Sequence, residues 1–459
     1  MEISWVLNYN AALITNIFAI LILWRKYGVV SLLHPFNYYL ITWIISLLSF
    51  SVAISVGLGS FLIYDIKLLS LLFFTVAFVG GVICLVLLGS KKPVVLETFD
   101  WDIPENLLKT VGFFILLIGL FLIVSNGFDV ASNRLSDLGV GLDAAASGQR
   151  TGFLGALFGL FLTLKLPLLI YNGNQFYSMV ITKTEKLKYY IFFVLVGSLL
   201  EVISVGGRSG IVTSCTYFFV GILLIHVRST KNISNWFFLK KLVLIIIIPL
   251  ILVSSYINFV AEARINRSGS SNVTKKLLSR SYFGEKFSGI MEYSIFHIVG
   301  YQYRMKDKVS DELEMGRYTF QFITTYNLPV VSQIIGSEIN LASVLNLKKV
   351  DSNLANIKSK SNNTIHPGIT ATVFLVLYDD FGFNGSLIVL LFFIILTNRT
   401  FNKFLSNDIN NFFSIIIWLF IFDLWKMTWF SHHLNGPIFN PYLYSAILLS
   451  LTYKMFKSK

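Results

Sequence analysis

The sequence predicts an all-α polytopic membrane protein with about eleven transmembrane helices, its N-terminus outside and its C-terminus in the cytoplasm. Three observations carry this. Of 459 residues, 55 % are hydrophobic and only 13 % charged, with a mean hydropathy of +0.70. A soluble chain carries roughly 25 % charge and cannot hide this much apolar surface in one or two cores. The apolar residues fall in runs of about the ~20 residues that a spanning helix needs. The basic residues between the runs alternate in number from loop to loop. A soluble enzyme, a disordered protein and a secreted disulfide scaffold are excluded.

The runs follow in order along the chain. The first, 3–24, follows a single acidic residue, lacks a basic leader, and is too long for a signal core. It is expected to stay in the membrane. Runs at 34–57, 66–89, 107–125, 151–170, 189–206, 210–227 and 241–259 complete the first eight. The ninth, 369–397, is long and interrupted near Asp379 to Gly385, and runs at 411–430 and 438–455 follow it. Cys84 and Cys215 sit singly inside apolar runs, which suits packing rather than a disulfide or a metal site.

With the N-terminus outside, seventeen Lys and Arg fall on the inward loops and the C-terminal tail. Only Lys67, Arg134, Arg150 and Arg208 fall on short outward loops. This is the positive-inside pattern, and dropping one helix would scramble it. The net charge of +13 is therefore mostly topology and not a nucleic-acid footprint. Residues 260–367 form one outward connection of 108 residues, with 14 Lys and Arg against 9 Asp and Glu. Long translocated segments escape the positive-inside rule. Within it, 282–303 and 318–347 show helix-like spacing of aromatic and charged residues, as amphipathic helices that lie on the membrane face or cap a cavity. Residues 348–363 read as a solvated linker.

Charges inside spans are costly and usually face a cavity or a partner. Glu201, Ser204 and Arg208 lie at i, i+3 and i+7, on one face of helix six if that helix continues to Arg208. Gly206-Gly207-Arg208-Ser209-Gly210 then makes a tight outward turn into a helix N-terminus. Small residues there let an anion approach backbone N–H groups and a guanidinium fork together. The other reading has Arg208 snorkelling to headgroups with Glu201 as its counter-ion. Arg264 and Arg267 follow helix eight at the outer interface, suited to a substrate phosphate or to lipid phosphates.

His366 ends the large loop, and Asp379 and Asp380 stand where the ninth run breaks. Backbone cannot break in contact with lipid, so this break should line a cavity or be buried in protein. His and Asp are the available proton acceptors. Asp423 with Lys426, the pair His432-His433, Lys165 and His34 suit structural or interfacial roles. No Walker A, HExxH or CxxC motif is present, so ATP-driven transport and metalloprotease chemistry have no support. The first outward loop, 58–65, lacks the acidic pair of glycosyltransferases that work from that loop.

A many-spanning chain with one large outward loop in its second half, Gly206-Gly207-Arg208-Ser209-Gly210, and Asp380-Phe381-Gly382-x-x-Gly385 resembles the O-antigen polymerase (Wzy-like) family. The likeness covers the whole chain in layout and concentrates at 201–212, 260–267 and 366–390. It implies a GT-C-like fold in the bacterial cytoplasmic membrane. It also implies polymerisation of undecaprenyl-diphosphate-linked oligosaccharide repeat units into a surface polysaccharide, with no cofactor and no metal. Arg208, Arg264 and Arg267 would hold the diphosphate, supported by Glu201, Ser204, Gly207 and Gly210. His366, Asp379 and Asp380 would be the candidate bases. Partners implied are the lipid-linked substrate, the bilayer, and a chain-length regulator and flippase of the same pathway, with no nucleic acid. The related O-antigen ligases typically carry a His followed two residues later by Asn, whereas His366 is followed by Pro367 and Gly368. This departure favours a polymerase over a ligase. A ligase and a lipid-linked oligosaccharide flippase or transporter are the alternatives, and the absence of an internal repeat with paired broken helices weighs against a transporter.

Overall fold

A computed structural model describes residues 2–55, 63, 65–91, 105–136, 165, 167–181, 189–204, 208–230, 297–302, 305, 373–406, 418, 419, 421, 422 and 425. These are almost entirely helical, with no strand among the described residues. The protein is a helical membrane protein. Four helical stretches, Ser4–Leu33, Pro35–Ala53, Ile66–Gly89 and Asp380–Ser406, are long and apolar enough to cross a bilayer. Shorter apolar helices cover Lys109–Val124, Phe192–Glu201 and Ser214–His226.

Helix α1 (Glu2–Tyr27) runs into a buried 3₁₀ turn, Gly28–Leu33. Helix α2 (Pro35–Ala53) starts with proline at its first position, and the His34 ring caps it by accepting from the Phe36 N–H at 3.2 Å. Proline lacks the N–H that would go unpaired there, so the chain can reverse sharply without losing a bond. Helix α3 (Ile66–Gly89) matches the expected third run residue for residue. Its N-cap, Asp65, accepts from the N–H groups of Lys67 and Leu68. Lys26 reaches across to the carbonyls of Leu87 and Ser90 and to Ser90 Oγ at the far end of α3. A cation there satisfies carbonyls that the helix leaves open.

Contacts between these helices fix their directions. Asn8 donates to Ser70 Oγ at 2.8 Å near the start of both α1 and α3, and Lys26 meets Ser90 near the end of both. The two helices are parallel. Tyr9 donates to Leu47 O at 3.0 Å, while Trp24 donates to Asn37 Oδ1 at 2.9 Å, so α2 is antiparallel to α1.

Helix α4 (Glu105–Ser136), longer than the expected 107–125, packs on α5 (Ile191–Ser204). A Cβ at Gly112 would touch the Val194 side chain at 3.3 Å, and one at Gly119 would lie 3.1 Å from Leu200 Cβ, so α4 and α5 are parallel. Residues 167–176 are helical and continue into a π turn, Tyr177–Ile181, beyond the expected end at 170. They pack on α6 (Arg208–Thr230) through Gly173 and Gly221. A Cβ on either glycine would collide with a carbonyl oxygen of the other helix, Phe218 O or Ile170 O. Lipid supplies no hydrophobic force between helices, so close backbone packing at small residues takes that role. Further along, the Tyr177 hydroxyl and His226 Nδ1 share a hydrogen bond at 2.9 Å, so this helix and α6 are also parallel. Tyr217 of α6 meets Phe422, which also packs on Tyr38 of α2, and this links the two groups of helices.

Helix α7 (Val373–Ser406) lies against α1, α2 and α3. Tyr27 donates to Asn402 Oδ1 at 3.0 Å, while Phe383 faces Phe74 with ring centres 6.0 Å apart. From residue 383 onward, α7 therefore runs parallel to α1 and α3. Trp418 donates to Leu33 O at 3.1 Å and Trp425 to Thr397 Oγ1 at 2.7 Å, so residues 418–425 run antiparallel to α7. The expected runs at 241–259 and 438–455 lie outside the described residues.

Candidate functional site

The ninth run breaks where expected, and the structure shows how. Gly382 has φ 67° and ψ −179° inside α7. That region is essentially open to glycine alone. The helix resumes at once, with Ser386 Oγ donating to the Gly382 carbonyl at 2.5 Å. Gly385 supports the bend, because a Cβ there would lie 2.8 Å from Phe381 Cβ.

The break redirects the first arm of α7. A straight helix would carry Phe374 about 12 Å outward of Gly382, at 1.5 Å per residue. Instead the Phe374 ring packs 5.7 Å from Trp43. Trp43 lies near the middle of α2, about 6 Å or one turn before Leu47, which meets Tyr9, and about 15 Å before the helix end at Ala53. The arm has turned into the bundle. Phe374, Leu375 and Leu377 are buried accordingly, and Asp380 is carried in with them at 0 % exposure. The rest of α7 presents Ile388, Phe392 and Leu396 to the outside, as a lipid-facing helix does.

A short helical piece from within 260–367, the stretch expected to form the large loop, docks on the same helix as the break. Residues 297–302 are helical, and Gln302 Oε1 accepts from the N–H of Asp65, the α3 cap, at 3.0 Å. All six residues are buried, including His297, Ile298, Val299 and Tyr301. The amphipathic helix expected over 282–303 would have kept one face open, and this stretch has none. Of the two arrangements expected for it, it fits a cap set into the protein rather than a helix lying on the membrane face. Burial pushes the His297 imidazole down to about 3. So weak a base cannot draw a proton near neutral pH, which points away from a catalytic role for it. Along α3, Asp65 and Phe74 are nine residues apart, so residues 297–302 and the α7 break both meet the N-terminal stretch of that helix.

A second polar feature crosses between helices. Lys165 Nζ pairs with Glu201 Oε2 at 2.5 Å. From the sequence, Lys165 suits a structural role, and Glu201 shares a helix face with Arg208 if helix six continues that far. Helix α5 is described as far as Ser204 and the next helix from Arg208, and residues 205–207 lie outside the described residues. Glu201 is engaged by Lys165 of the neighbouring helix, a partner that linear spacing could not reveal.

The remaining candidates divide clearly. Asp380 is buried at the break, and Asp379 precedes it on α7. Ser204 closes α5, while Arg208 opens α6 with Gly210 in its first turn. Gly207, Arg264, Arg267 and His366 lie outside the described residues. Sequence reasoning missed Tyr39 and Trp43 on α2. Both are fully buried, and among the described residues the Tyr39 hydroxyl and Trp43 Nε1 have no hydrogen-bond partner. Such donors are costly unless something accepts from them. The arm of α7 ends against Trp43, so they belong to the same interior.

No protein-family model, no curated protein and no solved structure matches this chain.

Proposed function

We propose that the chain polymerises oligosaccharide repeat units carried on undecaprenyl diphosphate at the outer face of the bacterial cytoplasmic membrane. The observation that carries this reading is the α7 arm. A glycine-only break turns a buried carboxylate, Asp380, into the bundle, beside the point where the large loop docks on α3. The same residues, Asp380-Phe381-Gly382-x-x-Gly385, carry the family resemblance. An eleven-span, GT-C-like architecture with the N-terminus outside accommodates every helix direction described. Spans one, three and nine are then parallel, as are four and six, and five and seven.

The reaction transfers a growing glycan from its lipid diphosphate to a fresh lipid-linked unit. A hydroxyl of the fresh unit attacks the anomeric carbon of the glycan. The bond from that carbon to the diphosphate oxygen breaks, and the diphosphate leaves with the electron pair. Asp380, Asp379 or His366 takes the hydroxyl proton. Arg208, Arg264 and Arg267 stabilise the leaving diphosphate electrostatically. The docked loop excludes water, which limits hydrolysis of the donor. Tyr39 and Trp43 offer donors and aromatic surface inside the bundle.

Deleting the gene separates this reading from its rivals. Single repeat units on the final acceptor mean a polymerase. Polymer that accumulates on carrier lipid means a ligase, and units trapped at the inner leaflet mean a flippase. In the complemented strain, Arg208→Lys keeps the charge but loses the bidentate fork. Long-chain glycan should fall at least tenfold with membrane protein unchanged, and near-normal glycan would remove Arg208 from the clamp. For the topology, single cysteines at 275–360 should react with an impermeant thiol reagent from outside, and cysteines at 229–240 should not. The reverse pattern would overturn the orientation.

A further inference from the structure

We propose that Lys165 and Glu201 form an exchange site for the carrier-lipid diphosphate, with Lys165 a phosphate-binding residue and Glu201 the anion that holds it ready. This deepens the polymerase reading and rests on it for the identity of the ligand.

The pair joins two helices in stretches without another described charge: Pro167 to Ile170 follow Lys165, and Ile191 to Ser204 contain no charge but Glu201. Paired charges inside a span are seldom worth more than well-packed apolar side chains in their place, so stability alone is a weak reason for them. Ionisable residues within a bilayer are usually tied to a substrate path. The pair is also not sealed. The two side chains keep 19 % and 15 % exposure, so the ammonium and the carboxylate are not closed off from the surface of the protein. The site sits at the end of α5 that leads into α6. Only residues 205–207 separate Ser204 from Arg208, so Arg208 lies within about 15 Å of Ser204 at 3.8 Å per residue. Lys165 thus brings a second cation into the neighbourhood of the candidate diphosphate clamp, on a different helix.

The exchange follows from charge. A diphosphate carries more negative charge than one carboxylate and presents more acceptor oxygens to an ammonium group. It therefore displaces Glu201 from Lys165 on arrival. Glu201 keeps the ammonium oriented, and the site tolerable, when no substrate is bound. No bond is made or broken in this step.

The test measures binding of inorganic pyrophosphate to the purified full chain in phosphatidylcholine nanodiscs. Lys165→Met should weaken binding at least tenfold. Glu201→Gln, which removes the competing anion, should tighten it. Lys165→Leu combined with Glu201→Leu separates binding from folding. That variant should keep a melting temperature close to wild type and still bind at least tenfold more weakly. Wild-type affinity in Lys165→Met or in the double variant would overturn the proposal, as would the absence of pyrophosphate binding to the wild-type protein. Displacement of pyrophosphate by phosphatidylglycerol in the nanodisc would assign the site to bilayer headgroups and overturn it equally. None of these readings depends on polymer being made, so a failure here is distinct from a failure of the polymerase reading.

Discussion

Gly382→Ala is expected to abolish long-chain glycan while leaving the protein inserted in the membrane. At φ 67° and ψ −179° an L side chain is strained by about 1–3 kcal/mol. That is too small to unfold a bundle held by α1, α2 and α3, which pack without this residue. The strain is relieved locally, by straightening α7, and straightening has a large geometric effect. The arm 373–381 would swing outward, taking Phe374 off Trp43 and withdrawing Asp380 from the interior. A displacement of ångströms at a reacting group costs about 10²-fold in rate or more. Glycan ladders from a deletion strain complemented with the variant check this, with a cysteine at 375, buried in the native arm, becoming accessible as the arm swings out. Full-length ladders from Gly382→Ala would mean that the bend has no role in the reaction.

Asp380→Asn is the second large effect. The amide keeps the size and hydrogen-bonding capacity of the buried side chain but cannot accept a proton. If Asp380 is the base, polymerisation should fall by about 10²–10⁴-fold, the usual contribution of a positioned base. The melting temperature should move little, since the change also removes a buried negative charge. Asp379→Asn, made in parallel, identifies the acting member of the pair. An Asp380→Asn protein of normal activity would pass the role of base to Asp379 or His366.

Much of the architecture was legible in the sequence because lipid imposes simple rules. Runs of apolar residues must be helical, and α3 begins and ends where its run does. The break in α7 was legible for the same reason, since two acidic residues and two glycines inside one apolar run have no other outcome. The direction of the broken arm was not. It depends on which rings receive Phe374, and Trp43 is more than three hundred residues away along the chain. The Lys165–Glu201 pair was hidden likewise. Spacing along one helix points from Glu201 only to Arg208, whereas Lys165 reaches Glu201 from a neighbouring helix. The glycine contacts Gly173–Phe218 and Gly221–Ile170 gave no signal either, because isolated glycines in apolar runs look alike until two helices are placed together. The buried helical turn 297–302 carries aromatic and aliphatic residues that suit a surface helix equally well, and only its docking on Asp65 removes the open face.

The central claim is tested most directly by reconstituting the purified protein alone in proteoliposomes with undecaprenyl-diphosphate-linked repeat units. Products are resolved by length on a gel. The account predicts a ladder of lipid-linked oligomers, release of undecaprenyl diphosphate for each unit added, and loss of the ladder with Asp380→Asn. Repeat units that remain single beside a folded, correctly oriented protein would contradict it.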